Sequence, residues 1–246
     1  MSRLVLSLFP GVGLLDRAFE AEGFTVVRGP DVLWGGDVRV FHAPSDVFAG
    51  VIGGPPCQRF SGLANICRAR YGEESLAPDL IPEFCRVVAE AQPVWFVMEN
   101  VVGAPLPVVS GFIGSDVVLN NRECGGRQNR VRRFTFGTRD GRALDVQRMP
   151  EPDEWEAAVT STAGGRRARM VTDAAGKPIG KQAKKGGLLK VRTVREMAVL
   201  QGLPEDFLKD SPFTDKGKRE VIANGVPLPL GRAVARAVVA ALGRES

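Results

Sequence analysis

An α/β fold is predicted by three features of this 246-residue chain. Residues 4–9 form an apolar run of strand length, followed at once by Pro10-Gly11-Val12-Gly13 and then by Leu14, Leu15, Ala18 and Phe19 at helical spacing. Two later apolar runs, 47–52 and 94–98, each end in chemically reactive residues. The length suffices for one such domain with a modest appendage.

The elements follow in chain order. Glycines in the first turn admit positive φ, and Gly23 marks the end of the first helix. Strand, glycine turn and helix describe the first unit of a Rossmann-like sheet, whose ligand lies over the carboxyl ends of the strands. A tight turn alone would explain the glycines equally well. A second strand, 24–27, leads to Asp31, and Asp37 follows in Gly35-Gly36-Asp37-Val38. Acids there suit ribose hydroxyls and an adenine amino group, although either could simply cap a helix or turn. The chain has no Gly-x-x-x-x-Gly-Lys-Ser motif, so a nucleoside-like cofactor without phosphates fits better than a nucleotide. The run 47–52 leads into Gly53-Gly54-Pro55-Pro56-Cys57-Gln58-Arg59-Phe60-Ser61, and 94–98 into Glu99-Asn100-Val101. A thiol and a carboxylic acid at the carboxyl edges of two strands suit nucleophilic attack on a ring that must be protonated at the same time. A helix over 230–242 closes the reading.

Composition narrows the function. Cys57, Cys67, Cys85 and Cys124 include no Cys-x-x-Cys pair, so neither a structural zinc nor any other metal is expected. His42 is the only histidine, which disfavours Ser-His-Asp and Cys-His hydrolases. No apolar run approaches the roughly 18–20 residues that span a bilayer, and Pro10 with two glycines spoils a secretory signal. A cytoplasmic protein without disulfides or membrane contact is expected. Charge is uneven: residues 160–192 hold nine basic residues against Asp173, a net +8, within a chain of +5. This stripe, with Arg166, Arg167, Lys184 and Lys185, suits nucleic acid or else a solvated loop. Its glycines predict loops and short hairpins.

Taken together, the motifs resemble the C5-cytosine DNA methyltransferases across most of the chain and in that family's order. Phe9-Pro10-Gly11-Val12-Gly13 resembles the S-adenosylmethionine loop, residues 53–61 the nucleophile loop, and Glu99-Asn100-Val101 the Glu-Asn-Val motif. Gln128-Asn129-Arg130-Val131-Arg132 matches Gln-x-Arg-x-Arg, residues 195–204 resemble the segment after the target-recognition region, and Ala223-Asn224-Gly225-Val226 resembles the closing motif. Two departures stand out. Leu14 and Pro10 replace the loop's usual third glycine and alanine, and Asp31 replaces a glutamate in a compressed stretch, 30–36.

The resemblance implies a Rossmann-like S-adenosylmethionine-dependent methyltransferase fold, with a mostly parallel sheet, helices on both faces and a small inserted target-recognition lobe. The divisions are 1–137 for catalysis and cofactor, 138–207 for target recognition and the following segment, and 208–246 returning to the first domain. The implied partner is double-stranded DNA, bound by a monomer. Cys57 is the implied nucleophile, adding to carbon 6 of a flipped cytosine so that carbon 5 accepts a methyl group. Nearby arginines and the cofactor's sulfonium would favour its thiolate. Glu99 would donate to ring nitrogen 3, with burial raising its pKa, while Arg130 and Arg132, on one strand face, organise the nucleophile, the cytosine carbonyl and a phosphate. The cofactor would be held by Phe9, Gly11, Gly13, Asp31, Asp37, Pro55, Asn224, Val226 and Leu80, the last of which could equally be core. The Pro55 carbonyl would also accept from the cytosine amine. Substrate contacts are assigned to Gln58, Ser61, Asn100, Gln128, Arg166, Arg167, Lys184 and Lys185. Residues 58–74 form a candidate lid, and 138–190 would read bases in the major groove. Three alternatives are a tRNA-acting relative, disfavoured because Cys-Phe-Thr is absent, a non-catalytic DNA-binding module, and an acyl-transferring thiol enzyme.

Overall fold

The structure, a computed structural model, describes residues 3–60, 70–73, 76–160, 169–172, 178–180 and 192–243. A six-stranded sheet is built from β1 (Leu4–Leu8), β2 (Thr25–Arg28), β3 (Gly50–Gly53), β4 (Trp95–Asn100), β5 (Ile113–Asn120) and β7 (Val131–Thr138). Their order is β2-β1-β3-β4-β7-β5. The first four strands are parallel, and β7 inserts antiparallel to both β4 and β5. Leu8 pairs with Gly53, and Gly53 with Met98, so the loops after β1, β3 and β4 leave the same edge. The connections diverge to either side of β1, which places the crevice of an open α/β sheet over that edge.

Alternation along the strands divides the core between two faces. On β4, Trp95 and Val97 join Phe19, Phe134, Phe136 and Val234 beneath α1 (Leu14–Glu20) and α5 (Leu228–Gly243). Phe96 and Met98 face the other way, onto Phe84, Val87 and Val88 of α2 (Ile81–Ala91). All six residues of β4 are buried, which fits a central strand covered on both sides. Gly50 is required by this packing, since a Cβ there would lie 2.2 Å from the Trp95 ring.

A second sheet, in order β10-β9-β8-β6, combines β6 (Gln128–Asn129), β8 (Glu154–Ala157), β9 (Arg169–Thr172) and β10 (Pro178–Gly180). The antiparallel β9–β10 pair is a hairpin within the basic segment. Because β6 precedes residue 137, the small sheet begins inside the range assigned to the catalytic domain. A third cluster joins Leu14 to Met197 and Leu200 of α3 (Val194–Leu200) and to Ile222 of α4 (Asp215–Asn224). It seats the closing segments against the start of α1.

Two expectations need correction. β4 continues through Glu99 and Asn100, so both stand on the strand and not beyond it. Arg130 stands in the one-residue gap between β6 and β7, so it lies on neither strand, whereas Arg132 is on β7.

Candidate active site

Cys57 lies just past β3, half-buried, in a loop braced from β4. Asn100 donates from Nδ2 to the Pro55 carbonyl at 3.2 Å, and its Oδ1 accepts from the Val101 N–H at 2.8 Å. Phe60 N–H donates to the Cys57 carbonyl at 2.9 Å, closing the turn Gln58–Phe60. Glu99 is 8% exposed. Its Oε1 pairs with Arg132 Nε at 2.8 Å, and its Oε2 lies 3.0 Å from where a Cβ on Gly54 would stand. Glycine at 54 therefore lets the carboxylate press against the nucleophile loop. Four expected residues, Cys57, Glu99, Arg132 and Pro55, are brought together.

The thiol's pKa is raised above its ordinary value, first by burial and next by the Glu99 carboxylate. Arg132 and Arg130 pull it down, but by less. The arginines do favour the thiolate, as expected, but in the free protein burial and Glu99 outweigh them. Desolvation and a neighbouring anion both penalise a second negative charge.

Three more assignments change for a common reason. Arg130 donates to the carbonyls of Val159 (3.1 Å), Ala223 (2.9 Å) and Gly225 (3.2 Å). Burial and the Arg132 charge push its pKa down to about 9, so it remains a cation near neutral pH. It acts on Cys57 through its charge while tying the closing segments to the sheet. Gln128 is fully buried, donating to Leu200 O and Gln201 Oε1 at 2.8 Å and accepting from Val159 N–H at 3.2 Å. Asn100, at 1% exposure, is equally enclosed. Both amides are bonded internally, as burial demands of such groups. Gln58 is exposed beside the thiol. Ser61, Cys67, Arg166, Arg167, Lys184 and Lys185 lie outside the described residues. His42 sits on the surface, 3.1 Å from Glu90 Oε1.

The second half of the site is the turn after β1. Phe9, Gly11 and Gly13 adopt positive φ of 57°, 55° and 79°, which the two glycines accept without steric cost and Phe9 does not. Asp31 accepts from Gly11 N–H and Leu33 N–H, each at 2.8 Å. Asp37 is held by Arg39, whose guanidinium keeps the carboxyl below the usual range. Leu80 is half-buried at the start of α2, packed on the same cluster as Phe9 and Phe60. Val226 is buried, Asn224 is exposed, and a Cβ on Gly225 between them would lie 2.5 Å from Leu14.

Sequence reasoning missed two parts of this corner. Trp34 donates from Nε1 to Gly11 O at 2.7 Å and meets the Phe213 ring at 5.8 Å. Asp16, fully buried, accepts from Ser7 Oγ at 2.5 Å and Arg28 Nε at 2.9 Å. The available signal for Asp16 was an acid in the first turn of a helix otherwise marked by apolar positions.

A family model described as C-5 cytosine-specific DNA methylase matches residues 36–105. Type II methyltransferase M.AquIA of Picosynechococcus is 31% identical over 198 residues, spanning 62% of this chain and 77% of its own. The chain belongs to the C-5 cytosine-specific DNA methylases. Type II methyltransferase M.MthTI of Methanothermobacter thermautotrophicus is also 31% identical, over 62% of this methylase-family chain and 53% of its own. This family member spans about half the length of several curated relatives that it matches. The solved Entamoeba histolytica methyltransferase EhMeth superposes with a TM-score of 0.69 at 13% identity, covering 99% of this chain and 100% of its own. That likeness concerns the fold, a Rossmann-like α/β one shared with solved methyltransferases.

The glycine turn fits S-adenosylmethionine. No atom lies within 4 Å of where a Cβ on Gly11 would stand, which leaves a side-chain-free cradle beside the Asp31 carboxylate. A cationic nucleoside suits such a setting. Among the described residues, no group of three or more His, Cys, Asp or Glu is arranged to hold a metal ion.

Proposed function

We propose that this chain methylates carbon 5 of cytosine in double-stranded DNA through a transient bond between Cys57 Sγ and carbon 6 of the base. One observation carries the reading: the Cys57 loop, the Glu99 carboxylate and the Arg132 guanidinium form a single cluster at the carboxyl edge of β3 and β4.

Carbon 5 of an aromatic cytosine is a weak nucleophile, and addition of sulfur at carbon 6 makes it enamine-like. Charge then builds toward ring nitrogen 3, to which Glu99 delivers a proton. That proton is the thiol's own, taken from Sγ by the Glu99 carboxylate as sulfur adds to carbon 6. When Glu99 is neutral, the anion that raises the Cys57 pKa is gone, while the Arg132 and Arg130 charges that lower it remain. Loss of the sulfur's proton and delivery of one to nitrogen 3 are thereby coupled through one carboxyl group. Arg132 is left to face the cytosine carbonyl or the adjoining phosphate. The Pro55 carbonyl accepts from the exocyclic amine with its second lone pair, the first being taken by Asn100. Loss of the carbon 5 proton and departure of Sγ complete the cycle.

The cofactor would be held by Phe9, Gly11, Gly13, Asp31, Asp37, Leu80, Asn224 and Val226. S-adenosylmethionine, when bound, supplies an electrophilic methyl group. Carbon 6 is shielded by stacking in a duplex, so the cytosine must be extruded, at a cost of a few kcal/mol. Residues 138–190 would provide base reading, with Arg166, Arg167, Lys184 and Lys185 on phosphates. We assign the chain to the cytoplasm, acting as a monomer. Methylation assays on duplex DNA and on tRNA, with wild type and Cys57→Ala, test the reading. Activity on DNA that vanishes with the thiol is expected; activity on tRNA alone, or a fully active Cys57→Ala protein, refutes it.

A further inference from the structure

The motif Gln128-x-Arg130-x-Arg132 is followed directly by a third arginine, Arg133. Successive strand residues face opposite sides of a sheet, so on β7 Arg132 turns toward Glu99 and Arg133 toward the other face. The Arg133 guanidinium donates from Nη1 to the Val102 carbonyl at 3.0 Å and from Nη2 to the Ala104 carbonyl. Both acceptors lie in residues 101–112, the connection from β4 to β5, which contains neither helix nor strand. Irregular connections of that length are uncommon in compact domains, and ordering each residue costs conformational entropy. Carbonyls outside a ladder also need donors. A planar fork supplies two at once, and the Ala104 N–H to Val101 O bond at 3.0 Å closes the turn between them.

That turn backs the nucleophile loop on both sides of the thiol. Asn100, at its start, holds the Pro55 carbonyl. Gly103, at its centre, meets Phe60: the Phe60 carbonyl oxygen lies 3.6 Å from where a Cβ on Gly103 would stand. We infer that Arg133 is a positioning residue, which seats the Cys57 loop by pinning the turn 101–104 behind it. It touches no reacting atom. A displacement of about 1 Å at a reacting atom can cost on the order of 100-fold in rate, so a loosened turn is felt as lost chemistry.

The kinetic part of the test rests on the proposed reaction, whereas the chemical part does not. Full-length wild type, Arg133→Met and Arg133→Lys are treated with iodoacetamide, and alkylation of the Cys57 and Cys124 peptides is followed by mass spectrometry. Arg133→Met should be alkylated at Cys57 roughly three- to tenfold faster, with Cys124, buried in the other core cluster, unchanged, because the opening is local. Arg133→Lys, which keeps the charge and one donor, should fall between, and it decides the matter if the methionine variant does not fold. Single-turnover trapping on a duplex containing 5-fluorocytosine should slow by about 10- to 100-fold in Arg133→Met, with DNA and S-adenosylmethionine affinities within about twofold. Wild-type alkylation rates in both variants overturn the inference. Equal acceleration at Cys57 and Cys124 also overturns it, by indicating general destabilisation. Weakened DNA binding with a shallower salt dependence overturns it in favour of a phosphate contact. If wild type forms no adduct while the alkylation pattern holds, the proposed reaction fails and the positioning role stands.

Discussion

Replacing Glu99 by glutamine should move two properties of the site in opposite directions. The exchange preserves volume and removes the negative charge that ranks second, after burial, in raising the Cys57 pKa. Arg132, paired with that carboxylate at 2.8 Å, and Arg130 are left as uncompensated cations near the sulfur. At pH 7 a thiol with the ordinary value of 9.0 is about 1% thiolate, and Cys57 lies below that fraction because its pKa is raised. Removing a like charge beside a half-buried group should lower the Cys57 pKa and speed its alkylation at pH 7 by roughly 10- to 100-fold. The assay is the rate of Cys57 alkylation between pH 6 and 10. Wild type should gain about tenfold per pH unit through pH 9, and Glu99→Gln should level off at lower pH. Turnover should fall meanwhile, by about 100- to 10,000-fold, because an amide cannot deliver a proton to the ring. Unchanged or slower alkylation would refute the electrostatic reasoning, and unchanged turnover would refute the acid's role.

Other outcomes follow from the same geometry. Gln128→Ala should destabilise the fold by roughly 2–4 kcal/mol, since it strands Val159 N–H and the Gln201 amide in a dry interior. DNA affinity at equal folded concentration should not change; a loss of affinity without a loss of melting temperature would restore a substrate contact. Gly225→Ala forces a methyl group to within 2.5 Å of Leu14 Cδ2, and should cost about 1–3 kcal/mol. Because Leu14 follows the glycine turn, calorimetric S-adenosylmethionine affinity should fall too. Neutralising Lys184 and Lys185 together should weaken binding to many DNA sequences at low salt and flatten the salt dependence. Unaltered binding would remove the phosphate role.

What could be read in advance follows the range of the interactions. The βα unit at the head of the chain, the loops after β3 and β4 and the late helix carry their signals within a few residues. Those features are local, and the structure has them. Polar residues with distant partners were misread. Arg130 is held by carbonyls 29, 93 and 95 residues away, and Gln128 by Gln201, 73 residues on. A backbone carbonyl has no sequence signature, so a buried clasp resembles a substrate contact until the fold is known. Glu99 shows the same limit. Burial at a strand end was foreseeable, but its pairing with Arg132 depends on β7 running antiparallel beside β4. Trp34 and Asp16 were passed over because their partners, Gly11 and Phe213 for one and Ser7 and Arg28 for the other, are brought to them only by the fold.

The central claim is that this cluster modifies carbon 5 of cytosine in DNA, with Cys57 as its nucleophile. Bisulfite sequencing of plasmid DNA from cells expressing the wild-type chain, beside cells expressing Cys57→Ala, tests it most directly. Cytosines protected in one short sequence context by wild type, and unprotected with the variant, are the predicted result. Equal protection by both proteins, or none by either despite soluble folded protein, would contradict it.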